Sequence, residues 1–444
     1  MIMNEESIFS STLYRLSLQA HLFFRTIVPE PQHRRPITLS NAYILTLPFY
    51  PMLLMGYLAR RPNTYLLRLC LAPLIIWIII KTYYSHYWVQ PSLNVYNWGM
   101  GLLALAMTAR AIEFAYLPQG ILKRGEVRPG EMLTPAVSRK QGVHAPGDGS
   151  SLKRPASGLF PLWFQDSMEV LCAMRGMGWQ FGEGLHVPEQ TRPIERAAYL
   201  KATLRSWTIN YIALDLLESF IKLTPNLHSP SGGSIFLHTL SPLPRYMVST
   251  SIQFATGIAF ITGFGMVYDL LTLFCVGLLM HSPTSWPPLF DKPWATTSLH
   301  DFWAKRWHQI LRQTFLVFGG FPGKRIAGDA GLVIGTFLAS GLFHDLSMYC
   351  MGQGTSWVVV LFFLSQAFGM ISERMWRKIT GKRVGGWPGR VWTYLCVVGL
   401  GQPCIDTWHR RGLGGGLVIP PMLSPTRRIF FPLFQRIFET VRKS

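Results

Sequence analysis

The chain has 444 residues, of which 49% are hydrophobic and only 14% are charged. Soluble globular domains carry about 25% charged residues, so this composition excludes an ordinary set of soluble domains and indicates a polytopic membrane protein. The net charge of +20 lies mostly between apolar runs. That distribution is typical of cytosolic loops and not of a nucleic-acid-binding surface, although it could also attract a polyanionic cosubstrate.

Apolar runs of roughly 17 to 25 residues, long enough to cross a bilayer, recur along the chain. We predict an all-α membrane domain over residues 41–444, with about eight or nine transmembrane helices, after an N-terminal segment, 1–40. The candidate spans are Asn41–Leu58, Leu67–Tyr84, Trp98–Leu117, Trp207–Leu223, Tyr246–Met280, Ala327–Cys350, Trp357–Ser372 and Val391–Trp408. The fifth of these runs could form two short spans, or one span with a re-entrant piece.

Lysine and arginine alternate between the connecting segments, which predicts their sidedness. The basic, presumed cytosolic connections are 59–66, 118–206, 282–326 and 374–390, whereas 85–97 and 351–356 contain no Lys or Arg. Four arginines do not fit this alternation, namely Arg410, Arg411, Arg427 and Arg428. The stretch 118–156 is rich in Pro, Gly, Ser and basic residues, so we expect it to be a mobile basic loop.

Two pairs of charged residues fall inside predicted spans. Arg110 and Glu113 are three residues apart and could form an intramembrane ion pair. Asp215 and Glu218 have the same spacing but share a sign. They could line a substrate site, although pairing with basic partners is the simpler interpretation.

His344 lies in an apolar run, where an ionisable side chain is costly and marks a candidate functional site. On a helix, Ser340 and Ser347 share its face, and Gly335 and Gly341 would let another helix or a ligand approach closely. A neutral imidazole in a dry site is a competent general base. The alternative is a core histidine satisfied by a backbone carbonyl.

A second cluster of aromatic, basic and histidine side chains lies about 35 residues earlier in the chain. Asp301, Lys305 and His308 would share one face if this segment is helical, and Trp303 and Trp307 would form another pair. The tryptophans could instead mark the membrane interface, but that interpretation does not explain the adjoining cations and histidine.

Cations beside aromatic rings suit the phosphates and adenine of a nucleotide-like cosubstrate. Lys305, Arg306 and Arg312 are candidates for this role, and Lys324 and Arg325 extend the basic surface. The alternative for Arg312, Lys324 and Arg325 is an ordinary positive cytosolic loop.

Three segments resemble a known family. They are Trp286–Pro293, Ser298–His308 and Gly341–Asp345, and their order and spacing are similar to those of the wax-synthase-like branch of the membrane-bound O-acyltransferases. The segment Arg175–Gln180 also resembles one that recurs in fungal members. The resemblance is dense over 286–350, which we take as the motif-bearing catalytic segment, and it is weaker elsewhere.

The resemblance implies a helical membrane fold with an internal tunnel, in which acyl-CoA from the cytosolic side meets an acceptor alcohol. It implies that His344 is the catalytic base, that the family's second position is His308, and that Asp345 has an orienting role. The residues expected to bind the CoA cosubstrate are Trp303, Lys305, Arg306, Trp307 and Arg312. We expect no permanently bound cofactor and no metal, because the twelve histidines and six cysteines form no ligand motif.

The fungal character of the resemblance favours an O-acetyltransferase that moves an acetyl group from acetyl-CoA to a terpenoid or meroterpenoid hydroxyl in secondary metabolism. The alternative is a long-chain wax-ester or sterol-ester synthase. A non-catalytic transporter is the third hypothesis, but no internal repeat supports it. The expected partners are acyl-CoA, a hydrophobic alcohol and the lipid bilayer, with no nucleic acid. A multi-pass protein of the endoplasmic reticulum membrane is expected, and the oligomeric state is left open.

Overall fold

The structure is a computed structural model that describes residues 5–132 and 160–433, which are predominantly helical. The helices are α1 (Glu5–Ile27), α2 (Phe49–Ala59), α3 (Tyr65–Ser85), α4 (Asn94–Tyr116), α5 (Leu162–Cys172), α6 (Arg196–Leu223), α7 (Pro242–Gly277), α8 (Leu299–Asp301), α9 (Arg312–Phe315), α10 (Phe321–Met348), α11 (Trp357–Thr380), α12 (Gly386–Tyr394) and α13 (Gln402–Arg410).

Two short β ladders correct the all-α prediction. Strand β1 (Arg35–Ile37) pairs in parallel with β2 (His86–Trp88), and β3 (Glu126–Arg128) pairs antiparallel with β4 (Glu131–Met132). All four strands lie in connections between helices, where extended backbone gains hydrogen-bond partners by pairing.

Five segments of the described chain are long and apolar enough to cross a membrane. They are Ala42–Ala59, Tyr65–Ser85, Pro242–Gly277, Arg312–Met351 and Trp357–Thr380. The predicted eight or nine spans are therefore not confirmed. The predicted spans within α4 and α6 are helical but are not among these five segments, and the run 391–408 is divided by a π-helical turn at Leu395–Gly399.

The run 246–280 forms one continuous helix, α7, which packs along α6. Between Arg312 and Met351 the chain instead forms a hairpin. Its turn is at Gly328, which has a φ of 58°. On either side of this turn Gly319 lies against Gly335 and Gly323 against Gly331, with no space for a side chain at either contact. These contacts are symmetric about the turn, so the two arms are antiparallel.

The polar groups of the predicted spans are used for structure. Arg110 Nη1 lies 2.6 Å from Glu113 Oε2 in a buried ion pair, as the sequence predicted. Asp215 accepts hydrogen bonds from the Ser424 hydroxyl and the Thr426 backbone N–H. These two bonds tie α6 to the carboxyl-terminal part of the described chain.

Glu218 has the same anchoring role one helical turn further along α6. Its carboxylate pairs with Lys222 and with Arg427, at 2.7 Å, and accepts the backbone N–H groups of Val418 and Ile419. Pairing with basic partners, the simpler of the two interpretations, is therefore shown for Glu218, whereas Asp215 is bonded to a hydroxyl and a backbone N–H instead. The ion pair with Glu218 also explains why Arg427 does not fit the charge alternation.

The predicted mobile loop 118–156 is ordered in its first part. Glu126 is buried and pairs with Arg60 at 2.6 Å, and it also accepts the backbone N–H groups of Lys123 and Gly130. Residues 118–132 are therefore fixed to the amino-terminal helices, contrary to the prediction. The rest of that loop, 133–156, lies outside the described residues.

Two apolar cores hold these helices together. One lies among α2, α3, α4 and α5 and includes Met55, Ile79 and Phe114. The other lies among α7, α10, α11 and α13 and includes Phe363 and Trp408. Helix α4 joins them by packing on α10, and Gly101 makes this contact possible because its Cα lies against the backbone of Ser347.

Candidate active site

The segment with the aromatic, basic and histidine cluster begins at Leu299, where hydrogen bonds hold the backbone in place. The Glu373 carboxylate on α11 accepts the backbone N–H groups of Leu299 and His300, at 2.7 and 3.1 Å, and the Ser298 hydroxyl caps Asp301. Helix α8 therefore begins beside the C-terminal half of α11. The tip of the α10 hairpin lies at the same end, because Arg374 donates to the carbonyl of Asp329.

His308 does not share a helix face with Asp301 and Lys305, contrary to the prediction. A π-helical turn follows α8 over Phe302–Arg306, and the chain becomes extended at Trp307. The side chain of Gln309 holds this extension, since its amide donates to the carbonyls of Trp303 and Trp307. His308 is thereby turned away from the helix and into the interior.

The imidazole of His344 has a defined tautomer. Its Nδ1 lies 2.7 Å from the carbonyl oxygen of Ser340, one turn earlier on α10. A carbonyl only accepts hydrogen bonds, so Nδ1 carries the proton and Nε2 keeps its lone pair. The backbone carbonyl contact of the alternative interpretation is therefore present, but it satisfies only one of the two ring nitrogens.

Four aromatic rings surround His344. The ring of Phe363 stacks on the imidazole with centroids 4.6 Å apart, and Phe343, Phe315 and Trp408 lie at 5.7, 6.3 and 6.3 Å. These residues come from α9, α10, α11 and α13, so four separate elements converge on this ring. Apolar walls of this kind exclude bulk water and strengthen the electrostatic interactions inside them.

His308 is enclosed by a neighbouring set of rings. Phe264, Phe290 and Trp307 have centroids 5.5, 5.8 and 5.4 Å from its own. Burial lowers the pKa of His308 to about 3, and the nearby His344 and Arg175 act in the same direction. His308 is therefore neutral at physiological pH, and its Nδ1 has no hydrogen-bond partner among the described residues.

Both imidazoles lie deep inside the protein, yet each keeps part of its surface accessible. Neither residue is therefore completely enclosed by its neighbours. Successive ring contacts run from His308 through Trp307, Trp303 and Phe363 to His344, so the structure brings the two predicted catalytic residues into the same interior region.

Arg175, in the segment Arg175–Gln180 that resembles fungal members of the family, has a structural role. Its guanidinium is buried and donates to the carbonyls of Pro287 and Pro288, at 2.8 and 2.9 Å, and to the hydroxyl of Tyr268. It thereby fixes the proline pair that precedes Phe290. The Arg175 and Trp286 segments therefore form one support behind His308.

The predicted cofactor-binding residues have different environments. Arg306 is engaged within the protein, since its Nε lies 2.5 Å from Asp301 Oδ2 and its Nη1 donates to the carbonyl of Asp291. Trp303 bonds to the buried Gln366 and packs on the phenyl ring of Phe363. These contacts indicate that Arg306 and Trp303 support the site instead of contacting a phosphate.

The other three predicted cofactor-binding residues have fewer polar contacts within the described chain. Lys305 is exposed and Arg312 is half-buried, and neither forms an ion pair within the parts of the chain that the structure describes. Trp307 packs against both Phe290 and His308. Lys324 and Arg325 are at the hairpin tip, roughly 18 Å along the arm from Arg312, so these cations do not form one patch.

Asp345 and Trp408 also lie in the region around His344. The sequence analysis assigned no role to Trp408. Asp345 accepts the backbone N–H of Ser356 at the start of α11 and pairs with Arg411 at 3.0 Å, in a buried contact. This pair places Trp408 beside His344. The one available signal was that Arg411 breaks the charge alternation of the loops.

The described residues contain no group of three or more His, Cys, Asp or Glu side chains able to hold a metal ion. The two predicted catalytic imidazoles lie among aromatic rings inside a helical membrane protein. A lone pair on one ring and an uncommitted nitrogen on the other are suited to proton transfer and to polarising a carbonyl group.

Comparison with known proteins agrees with this description. Residues 286–365 match the model of the Membrane bound O-acyl transferase family. The resemblance predicted from the three sequence segments is thereby confirmed, and the matching region contains both His308 and His344. No solved structure matches the chain significantly.

Curated relatives are similar over parts of the chain. The acetyltransferase spyB of Aspergillus fumigatus is 26% identical over 49% of this chain and 38% of its own length. The acetyltransferase eriL of Hericium erinaceus is 24% identical over 57% of this chain and 69% of its own length. A probable long-chain-alcohol O-fatty-acyltransferase of Arabidopsis thaliana is 29% identical over 30% and 43%. The alignments with spyB and the plant protein therefore span less than half of those relatives.

Proposed function

We propose that this protein is a membrane-embedded, acyl-CoA-dependent O-acyltransferase with His344 as its general base. The observation that carries the proposal is the hydrogen bond from His344 Nδ1 to the Ser340 carbonyl. It holds the ring in the tautomer that a base requires, and Nε2 has no hydrogen-bond partner among the described residues.

The reaction follows from these groups. His344 Nε2 removes the proton of the acceptor hydroxyl while its oxygen attacks the thioester carbonyl, which forms the new C–O bond and an oxyanion. The C–S bond then breaks as the oxyanion collapses, and the imidazolium returns the proton to the departing CoA thiolate. His308, as a neutral imidazole, donates one N–H to the oxyanion or positions the acyl carbonyl.

For the cosubstrate, we propose that Lys305 and Arg312 contact the CoA phosphates and that Trp307 lines the path of the acyl group. Both cations lack a carboxylate partner among the described residues, so their charge is available to a phosphate. Trp303 and Arg306 take the supporting role that their contacts indicate. No resident cofactor or metal is needed in this scheme.

We propose acetyl-CoA as the donor and a hydroxyl of a terpenoid or meroterpenoid intermediate of secondary metabolism as the acceptor. Two fungal relatives named acetyltransferase support this choice. The four aromatic rings around His344 also favour a short acyl group at the reacting carbonyl. We further propose that the protein resides in the endoplasmic reticulum membrane, where its candidate spans would be inserted.

The alternative is a long-chain acyltransferase that forms wax or sterol esters, which the similarity to the plant alcohol O-fatty-acyltransferase favours. Microsomes that contain the full chain should be incubated with labelled acetyl-CoA or palmitoyl-CoA and a panel of terpenoid, sterol and long-chain alcohols. We expect labelled acetate esters of polycyclic alcohols. Labelled palmitate esters would establish the alternative, and no ester with any pair would contradict acyl transfer altogether.

A further inference from the structure

Trp408 has a polar group that the scheme above does not use. The residue is 6% exposed, and its indole Nε1–H has no hydrogen-bond partner among the described residues. A buried tryptophan usually finds an acceptor for this N–H, and a donor left without one costs about 1–3 kcal/mol. Such a group calls for a functional explanation when it lies beside a reaction centre.

The position of Trp408 supplies that explanation. Its ring lies 6.3 Å from the imidazole of His344, centroid to centroid, and the two planes are 20° apart. An N–H lies in the plane of its own ring, so between two nearly parallel rings it does not point at the face of the imidazole. The imidazole is therefore not the acceptor of this N–H, and the hydrogen-bonding capacity of Nε1 is unused among the described residues.

The backbone around Trp408 is rigidly held. Arg411 pairs with Asp345 on one side, and His409 lies 2.9 Å from the hydroxyl of Thr256 on the other. The Trp408 ring itself packs edge-on against Phe260 at 5.5 Å. A donor fixed from both sides costs little reorganisation when charge develops next to it, and this is the property that oxyanion-stabilising groups need.

We propose that Trp408 is a catalytic residue whose indole N–H donates a hydrogen bond to the thioester carbonyl oxygen as it becomes an oxyanion. This inference rests on the proposed acyl transfer. An indole N–H is a donor only, so it cannot accept the hydroxyl proton, and the oxygen that gains negative charge is its natural partner. In this scheme Trp408 and His308 each supply one donor to the oxyanion.

The test compares two tryptophans that both contact Phe260. Trp98 lies 5.7 Å from that ring, and its Nε1–H is already bonded to Ser347 Oγ at 3.1 Å. Trp408→Phe should lower kcat by about 10²- to 10³-fold, the usual effect of removing one oxyanion donor, with KM for acyl-CoA changed less than about three-fold. Trp98→Phe should leave kcat near the wild-type value.

A second variant covers the possibility that phenylalanine disturbs folding. Incorporation of benzothienylalanine at position 408 replaces only the N–H by sulfur and keeps the shape of the side chain, so the same fall in kcat is expected. Retention of wild-type kcat by this variant would overturn the role of Trp408 while leaving the proposed acyl transfer intact. Absence of transfer by the wild-type protein with every donor and acceptor would instead overturn both.

Discussion

Buried polar side chains have different partners in the amino-terminal helices and in the region around His308 and His344. In the first, Arg68 donates to the carbonyls at the end of α4, Arg110 pairs with Glu113, and Arg60 pairs with Glu126. In the second, His308 Nδ1 and Trp408 Nε1 have no partner among the described residues. Two atoms of the first region, Arg110 Nε and Glu113 Oε1, also lack a partner, but each of those side chains is paired through another atom. Paired charges hold helices together, whereas the two nitrogen atoms near His344 make no such bond.

Breaking a buried pair of the first region tests the structural side of this comparison and should have the largest effect. Arg110→Ala leaves the Glu113 carboxylate buried without its partner, so we expect a loss of about 3–5 kcal/mol of stability. The measurement is the thermal unfolding midpoint in detergent. The double variant with Arg110→Met and Glu113→Leu, which removes both charges, should recover most of the loss. Equal destabilisation by both would contradict the assignment.

A substitution of His308 tests the proposed catalytic role of the second region. Because the pKa of His308 is lowered to about 3, the ring is neutral, and in the proposed reaction it acts through one N–H. His308→Ala should reduce kcat about 10²-fold with little change in KM for acyl-CoA. His308→Asn keeps a neutral donor, so it should retain most of the activity, with the pH dependence of kcat unchanged between pH 6 and 8. An inactive asparagine variant would indicate that a charged imidazole is required.

The same lowered pKa predicts a pH dependence of stability. The unfolded chain binds a proton at His308 below its ordinary pKa of about 6.5, and the folded protein does not. Acidification from pH 7 to 5.5 therefore favours unfolding. The wild-type midpoint should fall more over this range than that of His308→Asn, which has no proton to bind. Equal shifts would show that His308 does not titrate on unfolding.

Lys305 is expected to give the smallest effect, because an exposed cation is screened by solvent. Lys305→Ala should raise the KM for acyl-CoA about two- to five-fold and leave kcat unchanged. Lys201→Ala, an exposed lysine on α6, is the control and should have no effect. If both variants behave alike, Lys305 contributes only to the general positive charge of the protein surface.

The sequence was informative where a local pattern sufficed. The apolar run around His344, the Arg110–Glu113 spacing and the three family-like segments all predicted contacts or similarities that are present. The π-helical turn that redirects His308 was not predictable from helical periodicity. Spacing arguments assume 3.6 residues per turn, and the bonds of Gln309 to neighbouring carbonyls override them.

Contacts between distant parts of the chain could not be predicted from the sequence. Asp345 meets Arg411 after 66 residues, and Glu218 meets Arg427 after 209 residues. Nothing in the local sequence specifies such partners. Even so, the arginines that did not suit cytosolic loops were a usable signal, because a cation in an unsuitable place needs a buried carboxylate.

The most direct measurement is the rate of acyl transfer by His344→Ala, compared with a matched histidine. His86 makes the same kind of bond, from Nδ1 to the carbonyl of Thr82 four residues earlier, at the end of α3. We expect His344→Ala to remain folded and inserted but to lose about 10²- to 10⁴-fold in kcat, while His86→Ala keeps wild-type turnover. A folded His344→Ala protein with most of its turnover would contradict the general-base assignment.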